Sequence, residues 1–240
     1  MITSAALCPA PPLLAREVTG LDPVVPELRE ACREAVAALT ATEPDLIAVV
    51  GVADQTLEWS PQAPFDLLAY APGLAGAAAG APGGPVPTLP LGLGLGLRLL
   101  DQAGYAGPRA LHAVSAAEPS PACAGLGGKL AAASASVGLL VLADGGARRG
   151  LKAPGYLDER CAPFDAAVEA AVAAGDLAAL LALDASLAAE LMATGRAAWQ
   201  VMAGGFAAGT GPVTGLIRYS GDPFGVAYLV ASLTAGAPPG

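Results

Sequence analysis

The densest group of chemically capable side chains lies in DGGARRGLKAPGYLDER, residues 144–160. Asp144, Arg148, Arg149, Lys152, Tyr156, Asp158, Glu159 and Arg160 gather there in a chain that is only 14% charged. Arg148 or Lys152 can hold a carboxylate or phosphate, and the Tyr156 hydroxyl can add a hydrogen bond. The plainer alternative is a solvated loop that turns at Pro154-Gly155. Asp54 and Asp144 are the candidate acid/base carboxylates, with Lys152 and Tyr156 as proton partners, because burial tunes such groups towards neutrality. Cys8, Asp54 and Asp144 together offer a thiolate and two carboxylates, a donor set for a divalent ion. Against that, Cys8 reads as a small buried hydrophobe and Asp144 as a turn residue before Gly145-Gly146.

The sole histidine, His112, falls inside a strand candidate and reads as structural. It has neither a Gly-x-Ser-x-Gly elbow nor a cysteine nucleophile beside it, so Ser-His-Asp and Cys-His catalysis are poorly supported. Trp59 and Trp199 either line an aromatic pocket or pack in the core.

The elements that must position these groups follow from hydrophobic patterning. Ile2 to Cys8 is an apolar strand stopped by Pro9. Asp22-Pro23 offers a cap and a first-turn proline for a helix carrying Leu28, Ala31, Ala35, Val36 and Leu39 as far as Pro44. DLIAVVG, residues 45–51, is a buried strand, and the three elements make a β-α-β unit, most simply a parallel crossover. Residues 71–90 are rich in Gly, Pro and Ala and read as a long loop of the kind that shapes a site. LGLGLGLRLLDQAG reads as a helix ending at Gly104. It is not a phosphate loop, because no acidic residue follows at dinucleotide distance and no Gly-Lys-Ser/Thr occurs.

RALHAVS and SVGLLVLADGG are further strands, the second ending in a polar turn at Asp144. Residues 163–191 read as two or three short helices, broken and capped at Gly175-Asp176 and Asp184, with Trp199 to Phe206 continuing them. VTGLIRYS and GVAYLVASL form a closing strand pair, and residues 235–240 a frayed tail. Strands alternating with helices give one α/β domain over residues 1–240. Its three layers are a central, mostly parallel or mixed sheet with helices on both faces.

Composition narrows the partners. A formal charge of −9 with only 12 Lys and Arg leaves no basic surface for nucleic acid or anionic lipid. No run of 18 apolar, glycine-free residues occurs, so no membrane span is expected. The four cysteines are widely spaced, with no Cys-x-x-Cys pair, and read as reduced thiols of a cytoplasmic protein. The stretch before Cys8 reads as mature chain. A small molecule or another protein is the expected partner, and the Gly/Ala-rich surface could pair with itself as a homo-oligomer.

In three-layer α/β sheets ligands bind outside the C-terminal strand ends, here LCPAPP, VVGVADQ and LVLADGGAR. Taken in this order, with KAPGYLDER next and LIRYSGDPFGVAYLV last, the chain resembles the class III extradiol ring-cleavage dioxygenase superfamily, which includes the MEMO-like proteins. The resemblance implies a ferrous iron held by two histidines and a glutamate, with a third histidine as acid/base on a catechol. The family's Pro-His becomes Pro9-Ala10, its second histidine falls at Asp54, and its Asp-x-x-His becomes Asp144-Gly145-Gly146-Ala147. Around AAWQVMAGG, Gln200 and Met202 stand where the resemblance implies Glu.

The resemblance therefore implies the family fold without its imidazoles: no metal site and no cofactor, with a strand-end pocket for a small aromatic or anionic molecule. Ala10, Ala147, Arg148, Trp199 and Gln200 are the expected ligand-binding residues. Two alternatives stay open. One is a working enzyme, either a dioxygenase with substitute ligands or a metal-free acid/base catalyst, and the other is an interaction subunit.

Overall fold

A computed structural model of the chain describes residues 1–19, 24–67, 70 and 87–236. Its strands are β1 (Ile2–Cys8), β2 (Leu46–Ala53), β3 (Leu57–Trp59), β4 (Arg109–Ser115), β5 (Val137–Leu142), β6 (Val213–Gly221) and β7 (Tyr228–Ala235). Its helices are α1 (Arg16–Thr19), α2 (Pro26–Thr40), α3 (Leu91–Gln102), α4 (Ser120–Ala131), α5 (Cys161–Ala174), α6 (Leu177–Leu181), α7 (Ala185–Glu190) and α8 (Arg196–Ala207). The strands form one seven-stranded sheet in the order β3-β4-β2-β5-β1-β7-β6. The four central strands are parallel, and β3, β7 and β6 add antiparallel edges. The expected Asp22-Pro23 cap, residues 71–86 of the expected loop and residues 237–240 of the tail lie outside the described residues.

The central strands read as unbroken apolar runs because both of their faces are covered. Alternate residues go to opposite cores: Ala5, Leu7, Ala48, Val50, Leu139 and Val141 to one, Ala6, Cys8, Ile47, Val49, Leu140 and Leu142 to the other. Helices α4, α5 and α8 complete the first core with Leu130, Val168, Val172, Trp199, Val201 and Phe206. Helices α2 and α3 complete the second with Leu28, Cys32, Leu39, Leu93 and Leu100. Each such fully buried large side chain contributes about 1.5–3 kcal/mol of transfer free energy. Among the described residues no helix is long and apolar enough to cross a membrane.

The short helices end as their sequences dictate. Asp176 accepts from the Ala179 N–H at 2.9 Å and Asp184 from the Leu187 N–H at 2.8 Å, which caps α6 and α7. Gly104, at φ +71, closes α3 with a left-handed turn. β1 and β2 are parallel, as the expected crossover requires, with β5 inserted between them and paired with both.

Helix α4 is not evident from local sequence because its three glycines argue against a helix. They serve packing instead. A Cβ at Gly127 would collide with the Val201 carbonyl oxygen and the Gly205 nitrogen, so α4 and α8 approach backbone to backbone. Gly127→Ala is expected to destabilise the fold by about 1–3 kcal/mol through overpacking. Gly125→Ala, whose added Cβ meets nothing within 4 Å, should stabilise it by up to about 1 kcal/mol through helix propensity. Urea unfolding of the two variants checks this, and equal midpoints would contradict the close α4–α8 contact.

Candidate functional site

Parallel pairing brings three strand ends level. Leu142 of β5 stands opposite Cys8 of β1 on one side and Gly51 of β2 on the other. The residues that follow are therefore delivered to one place at the C-terminal edge of the sheet. There Ala10, Asp54, Leu91, Ala116, Asp144 and Thr194 line a cavity of about 300 Å³. Leu91 and Gly92 belong to the start of α3, which comes close because Gly92 lacks a side chain: its Cβ would lie 3.2 Å from that of Leu142.

Asp144 is the chemical centre of this cleft. Its Oδ1 accepts the Ala10 N–H at 2.8 Å, and its carbonyl oxygen accepts the Gly195 N–H at 2.9 Å. Oδ2 carries no hydrogen bond among the described residues. Burial pushes the Asp144 carboxyl up to about 6, with the Ala10 hydrogen bond pulling the other way. Asp54 is exposed at the mouth of the cleft. A second cavity of about 550 Å³ shares Val52, Ala53, Asp54 and Leu91 with the first and adds Trp59, Asp66 and Tyr70. The two adjoin along these shared residues, and the aromatic rings belong to the second. The Trp59 indole nitrogen is buried without a partner among the described residues.

The other expected site residues lie elsewhere. Ala147 is 8% exposed, with its N–H on the Leu191 carbonyl and its carbonyl on the Gly155 N–H, and it does not line the cleft. Asp144 and Ala147 therefore part company: the turn between them carries Ala147 away from the strand ends. Arg148 packs against the Gly155 backbone, while Lys152 and Tyr156 are exposed. None of the three lines either cavity, so Lys152 and Tyr156 are not partners for Asp54 or Asp144. Arg160 pairs with Asp158 and Glu190 at 2.8 and 2.7 Å, as in the solvated-loop alternative. Tyr156, at φ +58, marks the turn after Gly155.

Gln200 is wholly buried and fully used: Oε1 accepts from Ser120 and Arg196, and Nε2 donates to the Leu181 and Leu183 carbonyls. It is a structural node rather than a ligand contact. Met202 is core. Trp199 lines a separate cavity, between α5 and the β6–β7 edge. His112 sits in mid-strand opposite Glu58, half-buried, where burial lowers its pKa.

The cleft does not fit the iron that the resemblance implies. It offers two carboxylates and a methyl group, without imidazole, and a facial triad needs two histidines and a carboxylate. Cys8 does not substitute. It lies fully buried in the α2-side core, and a hydrogen bond to Cys32, together with burial, raises its thiol well above the ordinary value. Among the described residues no group of three or more His, Cys, Asp or Glu could hold a metal ion.

Sequence reasoning missed Arg196, which is 1% exposed and donates to the Ala116 and Glu118 carbonyls at 2.5 and 2.6 Å. It ties the loop after β4 to α8 behind the cleft rim. The signal was present: one cation in an otherwise uncharged helix, RAAWQVMAGGFA. The pairing of Arg149 with Asp165 and Asp222 had no such signal, since nothing in the spacing of residues so far apart implies contact.

No family model matches the chain, and no curated protein matches it. Among solved structures it is similar to an uncharacterized protein of Escherichia coli, JW3007, with a TM-score of 0.52 over 97% of this chain and 100% of that chain, at 15% identity. That likeness establishes the class: an α/β fold shared along the whole chain.

The state of Asp144 is measurable through stability. Its folded value of about 6 lies above the ordinary 3.8, so the native state holds the proton more tightly than the unfolded chain. Its contribution therefore favours folding at acid pH and is lost as pH rises from about 4 to about 6. The shift corresponds to about 2–3 kcal/mol. Asp144→Asn is expected to gain that much stability relative to the parent chain between pH 4 and pH 7, by chemical unfolding at each pH. A difference independent of pH would contradict the assignment.

Proposed function

We propose that the chain is a metal-free relative of the class III extradiol dioxygenases whose strand-end cleft binds a small, uncharged aromatic molecule. The observation that carries this reading is the convergence of Ala10, Asp54 and Asp144 on one cavity, which shares lining residues with a neighbouring space lined by Trp59 and Tyr70. A ring packs on the aromatic side chains, and its hydroxyl donates to the open Oδ2 of Asp144. The lining favours the aromatic over the anionic ligand. Asp54, Asp66 and Asp144 contribute carboxylates, and no Lys or Arg lines either cavity among the described residues. A cytoplasmic setting belongs to the same proposal and is supported by four free, buried cysteines.

A second reading, a metal-free acid/base enzyme, is favoured by one observation: the Asp144 carboxyl titrates near 6, where a group both takes and gives a proton at neutral pH. Asp54, at the same cavity, is the second carboxylate available to it.

Binding is tested by titrating intrinsic fluorescence with catechol and phenol. Quenching is expected and should disappear in Trp59→Phe. Asp144→Asn should weaken affinity about tenfold, the size of one hydrogen bond to a charged acceptor. Absence of quenching, or quenching indifferent to both substitutions, would overturn the proposal.

A further inference from the structure

The turn after β5 separates two cavities: Asp144 lines the strand-end cleft, while Gly145 lines the other, between α5 and the β6–β7 edge. The second cavity measures about 100 Å³, room for a few waters or one ligand of that size. Its polar lining comes from Arg149, Asp165, Glu169, Trp199, Ser220 and Tyr228.

Arg149 is held by one edge only. Its Nε donates to Asp222 Oδ2 at 2.8 Å and lies 3.9 Å from Asp165 Oδ2. Its two terminal nitrogens carry no hydrogen bond among the described residues. A guanidinium fixed in this way presents its outer fork for a bidentate carboxylate. Trp199 closes one wall of the cavity and is 1% exposed.

A simple anion does not match the rest of the lining. Asp165 and Glu169 line the cavity and Asp222 pairs with Arg149, so the site holds three carboxylates and one guanidinium. Asp165 is engaged by the Gly146 N–H at 2.9 Å, and one oxygen of Glu169 by the Ser220 hydroxyl at 2.6 Å. The other Glu169 oxygen has no partner among the described residues. A ligand carrying a carboxylate and an ammonium together, and no net charge, satisfies both ends.

We propose that this cavity is a binding site for a small amino-acid zwitterion, its carboxylate on the outer fork of Arg149 and its ammonium on Glu169. The site is separate from the strand-end cleft and stands or falls independently of what that cleft binds.

Isothermal titration calorimetry of the full chain with L-alanine, acetate and methylammonium tests it. Alanine is expected to bind about tenfold or more tighter than either half-ligand, since each lacks one of two charge-assisted contacts. Glu169→Gln keeps an acceptor for Ser220 and should weaken alanine about tenfold while leaving acetate unchanged. Arg149→Lys should weaken both. Catechol at a constant concentration should not displace alanine, which keeps the two sites distinguishable. Acetate or methylammonium binding as tightly as alanine would overturn the proposal, as would no heat from alanine or an unaltered alanine affinity in Glu169→Gln.

Discussion

The rest of the structure depends on the insertion of β5 between β1 and β2. Because Leu142 pairs with Cys8 on one side and Gly51 on the other, three strands finish at the same height. The loops beyond them then have one place to go. The hydrogen bond from the Ala10 N–H to Asp144 Oδ1, 2.8 Å long, joins the first of these loops to the third. It is a backbone donor, so any residue except proline at position 10 could supply it, and alanine keeps the geometry while giving no lone pair.

Two charged groups are enclosed around this edge, and they are handled differently. Asp144 has one backbone donor on one oxygen, and its carboxyl stays titratable near 6. Arg196 cannot give up its proton, so it is stabilised by neutral acceptors: the Ala116 and Glu118 carbonyls and the Gln200 side chain. The same contacts fix the rim of the cleft, since Ala116 lines it and Thr194, two residues before Arg196, lines it too. The Arg196 hydrogen-bond network and the titratable Asp144 carboxyl thus sit side by side at one edge of the sheet.

The sequence disclosed the fold wherever local chemistry and tertiary need agree. The buried strands, the Asp176 and Asp184 caps and the Gly104 helix stop were all legible. It did not disclose α4, where glycines disfavour a helix locally and only the neighbouring α8 explains them, nor the three-residue β3, which gains its order from pairing with β4. The site was legible in part. Asp54 and Asp144 could be placed because strand ends in such sheets converge. Lys152 and Tyr156 are close to Asp144 in sequence, but the intervening turn carries them outwards. Trp199 and Gln200 are neighbours on α8, one lining a cavity and the other fully engaged in hydrogen bonds. Their roles were set by partners from α6, α5 and the sheet edge, which no local pattern encodes.

Ala10, Asp54 and Asp144 bring a methyl group and two carboxylates, and no imidazole, to the cleft, which is not the donor set of a facial triad. The most direct test is the ferrous iron retained per chain after anaerobic reconstitution and desalting. No retention above that of the unfolded chain is expected. One iron retained per folded chain would contradict this and would mean that Asp54, Asp144 and further groups form a metal centre of another kind.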